Sequence, residues 1–303
     1  MNNERRYQRP MEPWDELEPF GKEISLMKPE INLFYYETGK LSKPAILLIH
    51  GLGDEADTWR HVIKHLAHNF HVIAPDLPGF GRSEKPKRDY TPEFHQSALS
   101  GLMDQLDIES AILMGSSLGA ILAQSLALFD DRIMGLILVG GSLLHEKPIK
   151  DIGLRLMQIP LLGEWLYTRL RKDPDAAFDS LRNMYQDLDS LPEKDRDFLY
   201  TRVNKRVWSD GQRRAYFSTL RNLYSWVREK QQGLKEKLSN FEIPTYVLRG
   251  EHDSLYPEEN ARALIQTQPS AELMNVQGAG HLPHQENPEE FLEAVGAWIN
   301  KIF

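Results

Sequence analysis

The stretch Ala111-Ile112-Leu113-Met114-Gly115-Ser116-Ser117-Leu118-Gly119 decides how this chain folds. Its first four residues form an unbroken apolar run that suits a strand buried on both faces, and the amphipathic text from Leu118 to Phe129 suits a helix. Between them a Gly-x-Ser-x-Gly pattern must turn the chain from strand to helix within a few residues. Such a turn lifts Ser117 above the sheet with unfavourable backbone dihedrals. Gly115 and Gly119 make it possible by removing side chains that would collide with neighbouring backbone. The motif is short, and a Gly-Ser-Ser turn without chemistry has the same letters; the strand before it and the helix after it give it weight.

Moving outward, similar apolar runs recur from Ala45 to Ile49, His71 to Ala74, Leu136 to Val139, Thr245 to Leu248 and Glu272 to Val276. Helix-length amphipathic stretches lie between most of them: Ala56 to Ala67, Pro92 to Leu106, Pro257 to Thr267 and Pro288 to Ile302. Alternating strand and helix predicts an α/β fold with a mostly parallel sheet, right-handed crossovers and helices on both faces, so ligands belong at the carboxyl ends of the strands. Lys22 to Met27 and Ile31 to Tyr36 read as an antiparallel edge hairpin. The rhythm breaks between Ser142 and about Ile243, where the text is helical throughout: Ile152 to Ile159, Leu162 to Leu170, Ala176 to Leu188, Arg196 to Val207 and Arg213 to Val227. The expected organisation is an unpatterned, loosely packed arm over residues 1–21, a core formed by residues 22–141 and 244–303, and an inserted helical cap over residues 142–243.

Of 303 residues, 41% are hydrophobic, 26% charged and 10% aromatic, a composition that excludes disorder and low complexity. The formal charge of −8 has the wrong sign for a phosphate-backbone binder, so nucleic acid is not an expected partner. Residues 143–243 carry 19 Lys and Arg against 15 Asp and Glu, so the insertion is positive while the rest is negative. That asymmetry suits an ordinary solvated surface, or contact with anionic substrates or lipid headgroups. The absence of cysteine rules out disulfides, thiolate zinc sites and thiol nucleophiles. No run approaches the ~18 apolar residues of a membrane span. The polar start from Met1 to Pro10 has no secretory pattern, and a cytoplasmic location is the default.

A serine hydroxyl is a poor nucleophile at neutral pH and needs a base within hydrogen-bond reach, itself oriented by a third group. Asp253 follows the run ending at Leu248, in Arg249-Gly250-Glu251-His252-Asp253. His281 follows the run ending at Val276, in Gln277-Gly278-Ala279-Gly280-His281-Leu282-Pro283. Both therefore belong to loops at the carboxyl ends of strands, where they converge above Ser117. An oxyanion hole needs backbone N–H donors: Leu118 starts a helix, and Leu52, in His50-Gly51-Leu52-Gly53, can supply the second.

In its ordered motifs the chain resembles the α/β-hydrolase superfamily, in the branch with a helical cap, from about residue 22 onward. The motifs are His50-Gly51-Leu52-Gly53, Asp76-Leu77-Pro78-Gly79-Phe80-Gly81-Arg82-Ser83, Gly115-Ser116-Ser117-Leu118-Gly119, Gly250-Glu251-His252-Asp253, and Gly280-His281-Leu282-Pro283-His284-Gln285-Glu286-Asn287-Pro288. The resemblance implies Ser117 as nucleophile, His281 as general base and then acid, and Asp253 as the carboxylate on the imidazole. Haloalkane dehalogenases and epoxide hydrolases carry Asp where this chain has Ser117, which favours ester or thioester cleavage. Carbon–carbon bond hydrolases usually carry Trp soon after the catalytic His, where this chain has Leu282 and Pro283. The expected activity is thus cleavage of a hydrophobic carboxylic ester. Alternatives are thioesterase, C–C hydrolase or perhydrolase action on the same triad, or a non-catalytic ligand-binding role.

Other candidates rank lower. His61 and His65 are four apart on helical text but lack a third ligand, and read as solvated surface; no metal is expected. Gly79-Phe80-Gly81-Arg82-Ser83-Glu84 lacks the last glycine of a dinucleotide fingerprint, so no cofactor is implied. His252 and Asp76 are weaker alternatives to His281 and Asp253. The insertion carries Leu154, Leu156, Met157, Ile159, Leu161, Leu162, Trp165, Leu166, Met184, Trp208, Phe217, Leu223 and Trp226. Most of these suit core, the rest an acyl pocket.

Overall fold

The computed structural model describes residues 7–144, 156–231 and 233–302. Eight strands form one sheet: β1 (Gly21–Met27), β2 (Glu30–Thr38), β3 (Ala45–Ile49), β4 (His71–Pro75), β5 (Ala111–Ser116), β6 (Ile133–Val139), β7 (Thr245–Gly250) and β8 (Ala271–Val276). Their order across the sheet is β1-β2-β4-β3-β5-β6-β7-β8. The β1–β2 and β2–β4 pairs are antiparallel, and every pairing from β4 through β3 to β8 is parallel.

Strand periodicity divides the apolar residues between two cores. Leu47 and Ile49 of β3, Leu113 of β5 and Leu138 of β6 pack on one face, while Ile46, Leu48, Ile112, Met114, Ile137 and Val139 pack on the other. The α-helices run α1 (Ile63–Leu66), α2 (Pro92–Gln105), α3 (Leu118–Leu126), α4 (Leu162–Arg169), α5 (Pro174–Asp179), α6 (Glu193–Trp208), α7 (Asp210–Lys230), α8 (Leu234–Ser239), α9 (Glu258–Thr267), α10 (Pro283–Glu286) and α11 (Pro288–Ile302). Residues of α2, α3 and α9 cover the first face, and those of α1 and α11 the second. With helices on both sides, the central strands must be apolar throughout, which is why they read as continuous runs.

Between β6 and β7 the described residues form helices and 3-10 turns joined by short irregular segments, and part of them has a small core of its own. Ala177, Leu181, Leu188, Leu199, Val203 and Val207 form it, and Leu282 of the sheet domain completes it. The apolar residues expected to be core divide here: Phe217 and Trp226 are buried, whereas Leu156, Ile159, Leu161 and Trp165 are exposed. Leu154 lies outside the described residues. The text from Ala56 to Ala67 is not one helix but a 3-10 turn (Ala56–Trp59) followed by α1. Its periodicity records which face is buried, and Trp59, Val62 and Ile63 are fully buried, but not the pitch.

The N-terminal segment is packed where a loose arm was expected. Trp14 and Leu17 are buried against the second face. Trp14 donates its backbone N–H to Asp57 Oδ1 at 2.7 Å and meets Phe198 of α6 edge-on. Lys205 of α6 donates to the Pro10 carbonyl at 2.8 Å, and Arg202 to that of Glu12. The two bonds to α6 end on main-chain carbonyls, so no side-chain pattern announces those two.

After β4 the loop from Asp76 to Ser83 is built around a buried ion cluster. Arg82 donates to both Asp76 oxygens at 2.7 and 2.9 Å, to Tyr36 Oη at 2.7 Å, and lies 2.6 Å from Asp57 Oδ2. Burial alone would raise the Asp76 carboxyl, but the guanidinium outweighs it and holds it below its ordinary range. Arg82→Met should destabilise the fold by about 3–5 kcal/mol in urea unfolding, because it strands buried carboxylates. Asp76 with Arg82 present contributes stability above the unfolded carboxyl value, and that contribution is lost as pH falls. Without the Arg82 guanidinium, burial and the nearby Asp57 charge raise the Asp76 carboxyl against its remaining backbone N–H bonds, so the deficit of the variant should shrink as pH is lowered towards 5.

Candidate active site

Ser117 stands between β5 and α3 with φ 53° and ψ −111°, outside the regions ordinary residues occupy. Its own N–H is held by the Val139 carbonyl at 2.8 Å, and its carbonyl accepts the N–H groups of Ala120 and Ile121. A methyl group on Gly119 would stand 2.1 Å from the Ile49 carbonyl oxygen, and one on Gly115 2.2 Å from that of Gly119. Neither position accepts a side chain, as the motif requires.

Asp253 and His281 meet in the loops after β7 and β8. His281 Nδ1 and Asp253 Oδ2 are 2.9 Å apart, and both side chains are buried. Asp253 Oδ1 accepts the N–H groups of Leu255 and Tyr256, each at 2.9 Å. With the carboxylate accepting on both oxygens, Nδ1 of the neutral imidazole carries the proton and Nε2 the lone pair. Burial disfavours imidazolium, but the Asp253 charge and hydrogen bond outweigh it, so His281 holds its proton above the ordinary imidazole value.

The glycines at the end of β6 bring these groups together. A methyl on Gly140 would lie 3.0 Å from the His281 ring and 3.2 Å from Asp253 Oδ2, and one on Gly141 would lie 2.6 Å from the Ser117 carbonyl oxygen. Sequence reading passed over this dipeptide, although two consecutive glycines directly after a strand were the available signal. Leu118 opens α3. Leu52 sits in the turn after β3, and a methyl on the preceding Gly51 would be 3.4 Å from Ser117 Cβ. Gly140-Gly141 thus lies against the His281–Asp253 pair through its first residue and against Ser117 through its second.

The weaker candidates lie elsewhere or are engaged. His252 is exposed beside Glu251, and Asp76 belongs to the Arg82 cluster. His61 is not simply solvated: its Nε2 is 2.8 Å from Asp195 Oδ1, which Arg60 also contacts at 2.6 Å. Two features of the helical insertion reach the site unannounced. The Met184 carbonyl accepts the His281 N–H at 2.8 Å, and Arg206 of α6 forks onto Glu55 in the segment that follows Leu52.

Substitution of two glycines should separate geometric need from helix propensity. Gly119→Ala forces a methyl into backbone and should cost about 3 kcal/mol, the upper end for overpacking. Gly296 of α11 has open space around it, so Gly296→Ala should stabilise by about 0.5–1 kcal/mol. Thermal and urea unfolding of both variants check the contrast.

A profile of the family described as the alpha/beta hydrolase fold matches residues 44–288. A protein of Mycobacterium tuberculosis is 31% identical over 275 residues, spanning 86% of this chain and 76% of its own. A 2-hydroxy-6-oxo-6-(2'-aminophenyl)hexa-2,4-dienoic acid hydrolase of Metapseudomonas resinovorans is 26% identical over 88% of this chain and 87% of its own. Among solved structures, a putative lipase of Acinetobacter baumannii superposes with a TM-score of 0.79 at 22% identity, covering 93% of this chain and 91% of that one. The profile match, the relatives and the eight-stranded, mostly parallel sheet agree: this chain belongs to the alpha/beta hydrolase family.

Proposed function

We propose that the protein is a serine hydrolase that cleaves carboxylic esters with hydrophobic groups, through Ser117, His281 and Asp253. The observation that carries the reading is the conjunction of a strained Ser117 with a buried His281–Asp253 pair 2.9 Å apart, both against Gly140-Gly141. Ser117 Oγ attacks the ester carbonyl carbon while His281 Nε2 takes its proton, and Asp253 stabilises the resulting imidazolium. The tetrahedral oxyanion is held by the N–H groups of Leu52 and Leu118. His281 then protonates the leaving alcohol, and water enters by the same route to release the acid from Ser117.

Aromatic residues support an apolar substrate. Tyr216 of α7 lies over the turn containing Leu52, where a methyl on Gly53 would be 3.0 Å from its ring, and Tyr216 stacks with Tyr167 at 5.7 Å. On this reading the helices between β6 and β7 are a cap that covers the site, and residues 142–243 form a unit distinct from the sheet domain. The Metapseudomonas relative favours a second reading on the same triad, hydrolysis of a hydroxy-oxo-dienoic acid. Leu282 and Pro283, where Trp is usual in that class, weigh against it.

A graded series of p-nitrophenyl esters, run beside acyl-CoA and dienone substrates, should show turnover of medium-chain esters. Ser117→Ala should abolish turnover to a residual level and remove labelling by a fluorophosphonate; undiminished activity would overturn the assignment. The base form of His281 is the neutral imidazole, so kcat/KM should rise with pH through a midpoint above the ordinary value of 6.5. Asp253→Asn removes the carboxylate that raises His281, so the acid limb should move down in pH while kcat falls by up to about 10⁴. An unmoved limb would separate the two residues.

A further inference from the structure

The Gly51–Leu52 peptide is held from its carbonyl side. The Gly51 oxygen lies 2.7 Å from His50 Nδ1 and accepts the Asp54 N–H at 3.3 Å. Leu77 donates its N–H to His50 Nε2 at 2.8 Å, so Nε2 is the acceptor and Nδ1 the donor. In a trans peptide the C=O and N–H point in opposite directions, so fixing the Gly51 oxygen fixes where the Leu52 N–H points. The longer of these two bonds comes from Asp54, and Asp54 is the residue that the insertion grips.

Arg206 of α6 places Nε and Nη2 on the two Glu55 oxygens at 2.9 and 2.8 Å, and Nη2 also bonds Asp54 Oδ1. Glu55 is fully buried; Arg202 stands 3.2 Å away, and Gln212 of α7 donates to the Gly53 carbonyl at 3.3 Å. A forked guanidinium fixes direction as well as charge, which an ammonium cannot do. Without it Glu55 keeps only Arg202 at 3.2 Å, and Asp54 Oδ1 keeps only the Glu55 N–H at 3.0 Å, so the turn is held less firmly against rotation of its peptide.

We infer that Arg206 is a positioning residue for the oxyanion peptide: by clamping Asp54 and Glu55 from the helical insertion, it keeps the Leu52 N–H in the orientation that receives negative charge. This rests on the ester-hydrolase reading above. It acts on the transition state, where the oxyanion exists, and leaves ground-state binding of the ester nearly untouched.

The test measures kcat per active site, with sites counted by a fluorophosphonate burst, for wild type, Arg206→Met, Arg206→Lys and Asp195→Asn. Asp195 also lies on α6 and pairs with Arg60 of the sheet domain, so its variant loosens the same helix without touching the turn. Arg206→Met should lose at least about tenfold in kcat per site, bounded by the ~10² to 10³ that loss of an oxyanion donor costs. KM should stay within about threefold, and a boronic acid that mimics the tetrahedral intermediate should weaken in step with kcat/KM. Arg206→Lys should fall between wild type and Arg206→Met, and Asp195→Asn should keep its kcat per site. Wild-type turnover per site in Arg206→Met, or an equal loss in Asp195→Asn, overturns the inference. If Arg206→Met does not fold, Glu55→Gln/Arg206→Met, which leaves Glu55 uncharged, is judged by the same criteria. Failure of the underlying reading looks different: wild type would go unlabelled, and Ser117→Ala would match it in every assay.

Discussion

A carbonyl oxygen occupies the place where a side chain at Gly119 would be. Because β3 and β5 are parallel neighbours, the first turn of α3 has to pass directly over the end of β3, and the Ile49 carbonyl meets it 2.1 Å from the position of a methyl. This contact sets the height of the helix over the sheet, and with it the backbone of Ser117. Everything at the carboxyl edge is arranged relative to that crossing. The turn after β3 rests on Ser117, the glycines after β6 pass beneath it, and the loops after β7 and β8 close on the glycines.

Charge does the remaining work of assembly, and it does so out of water. Arg82, Arg202 and Arg206 reach buried carboxylates at Asp57, Asp76 and Glu55. Each ion would be unfavourable alone, so loss of any one member leaves buried charge uncompensated on the others. Two of the three arginines belong to α6, which means that this helix is joined to the segment after β3 by desolvated ion pairs rather than by apolar contact alone. Its small core adds Leu282, next to His281. The insertion is therefore part of the scaffold of the candidate site on at least two sides.

Much of this architecture is legible in the residues. The apolar runs mark the strands within a few residues of their ends, because helices on both faces demand uninterrupted hydrophobicity. The elbow, Asp253 and His281 are legible because strand-end loops with glycine announce themselves. What is not legible depends on partners distant in the chain. Asp57 and Arg60 look like ordinary members of an amphipathic helix, yet they are buried polar groups with partners at Arg82 and Asp195. His61 looks like surface until Asp195, 134 positions away, is brought beside it. Nothing in the helical text from Arg196 to Val207 marks Arg202 and Arg206 as buried, and only the fold turns them inward. Nor does hydrophobicity alone divide the insertion into core and surface: Leu161 and Phe217 are both apolar, but 83% of the first is exposed against 2% of the second.

The grip of Lys205 and Arg202 on the carbonyls of Pro10 and Glu12 has an evolutionary corollary. Every residue type presents the same carbonyl, so positions 10 and 12 can change their letters while these two bonds endure, provided the cations stay, whereas the buried Trp14 and Leu17 are tied to their side chains. The two bonds are encoded some 190 positions downstream, and a designer who repaints α6 for solubility would loosen positions 10 and 12 without altering either.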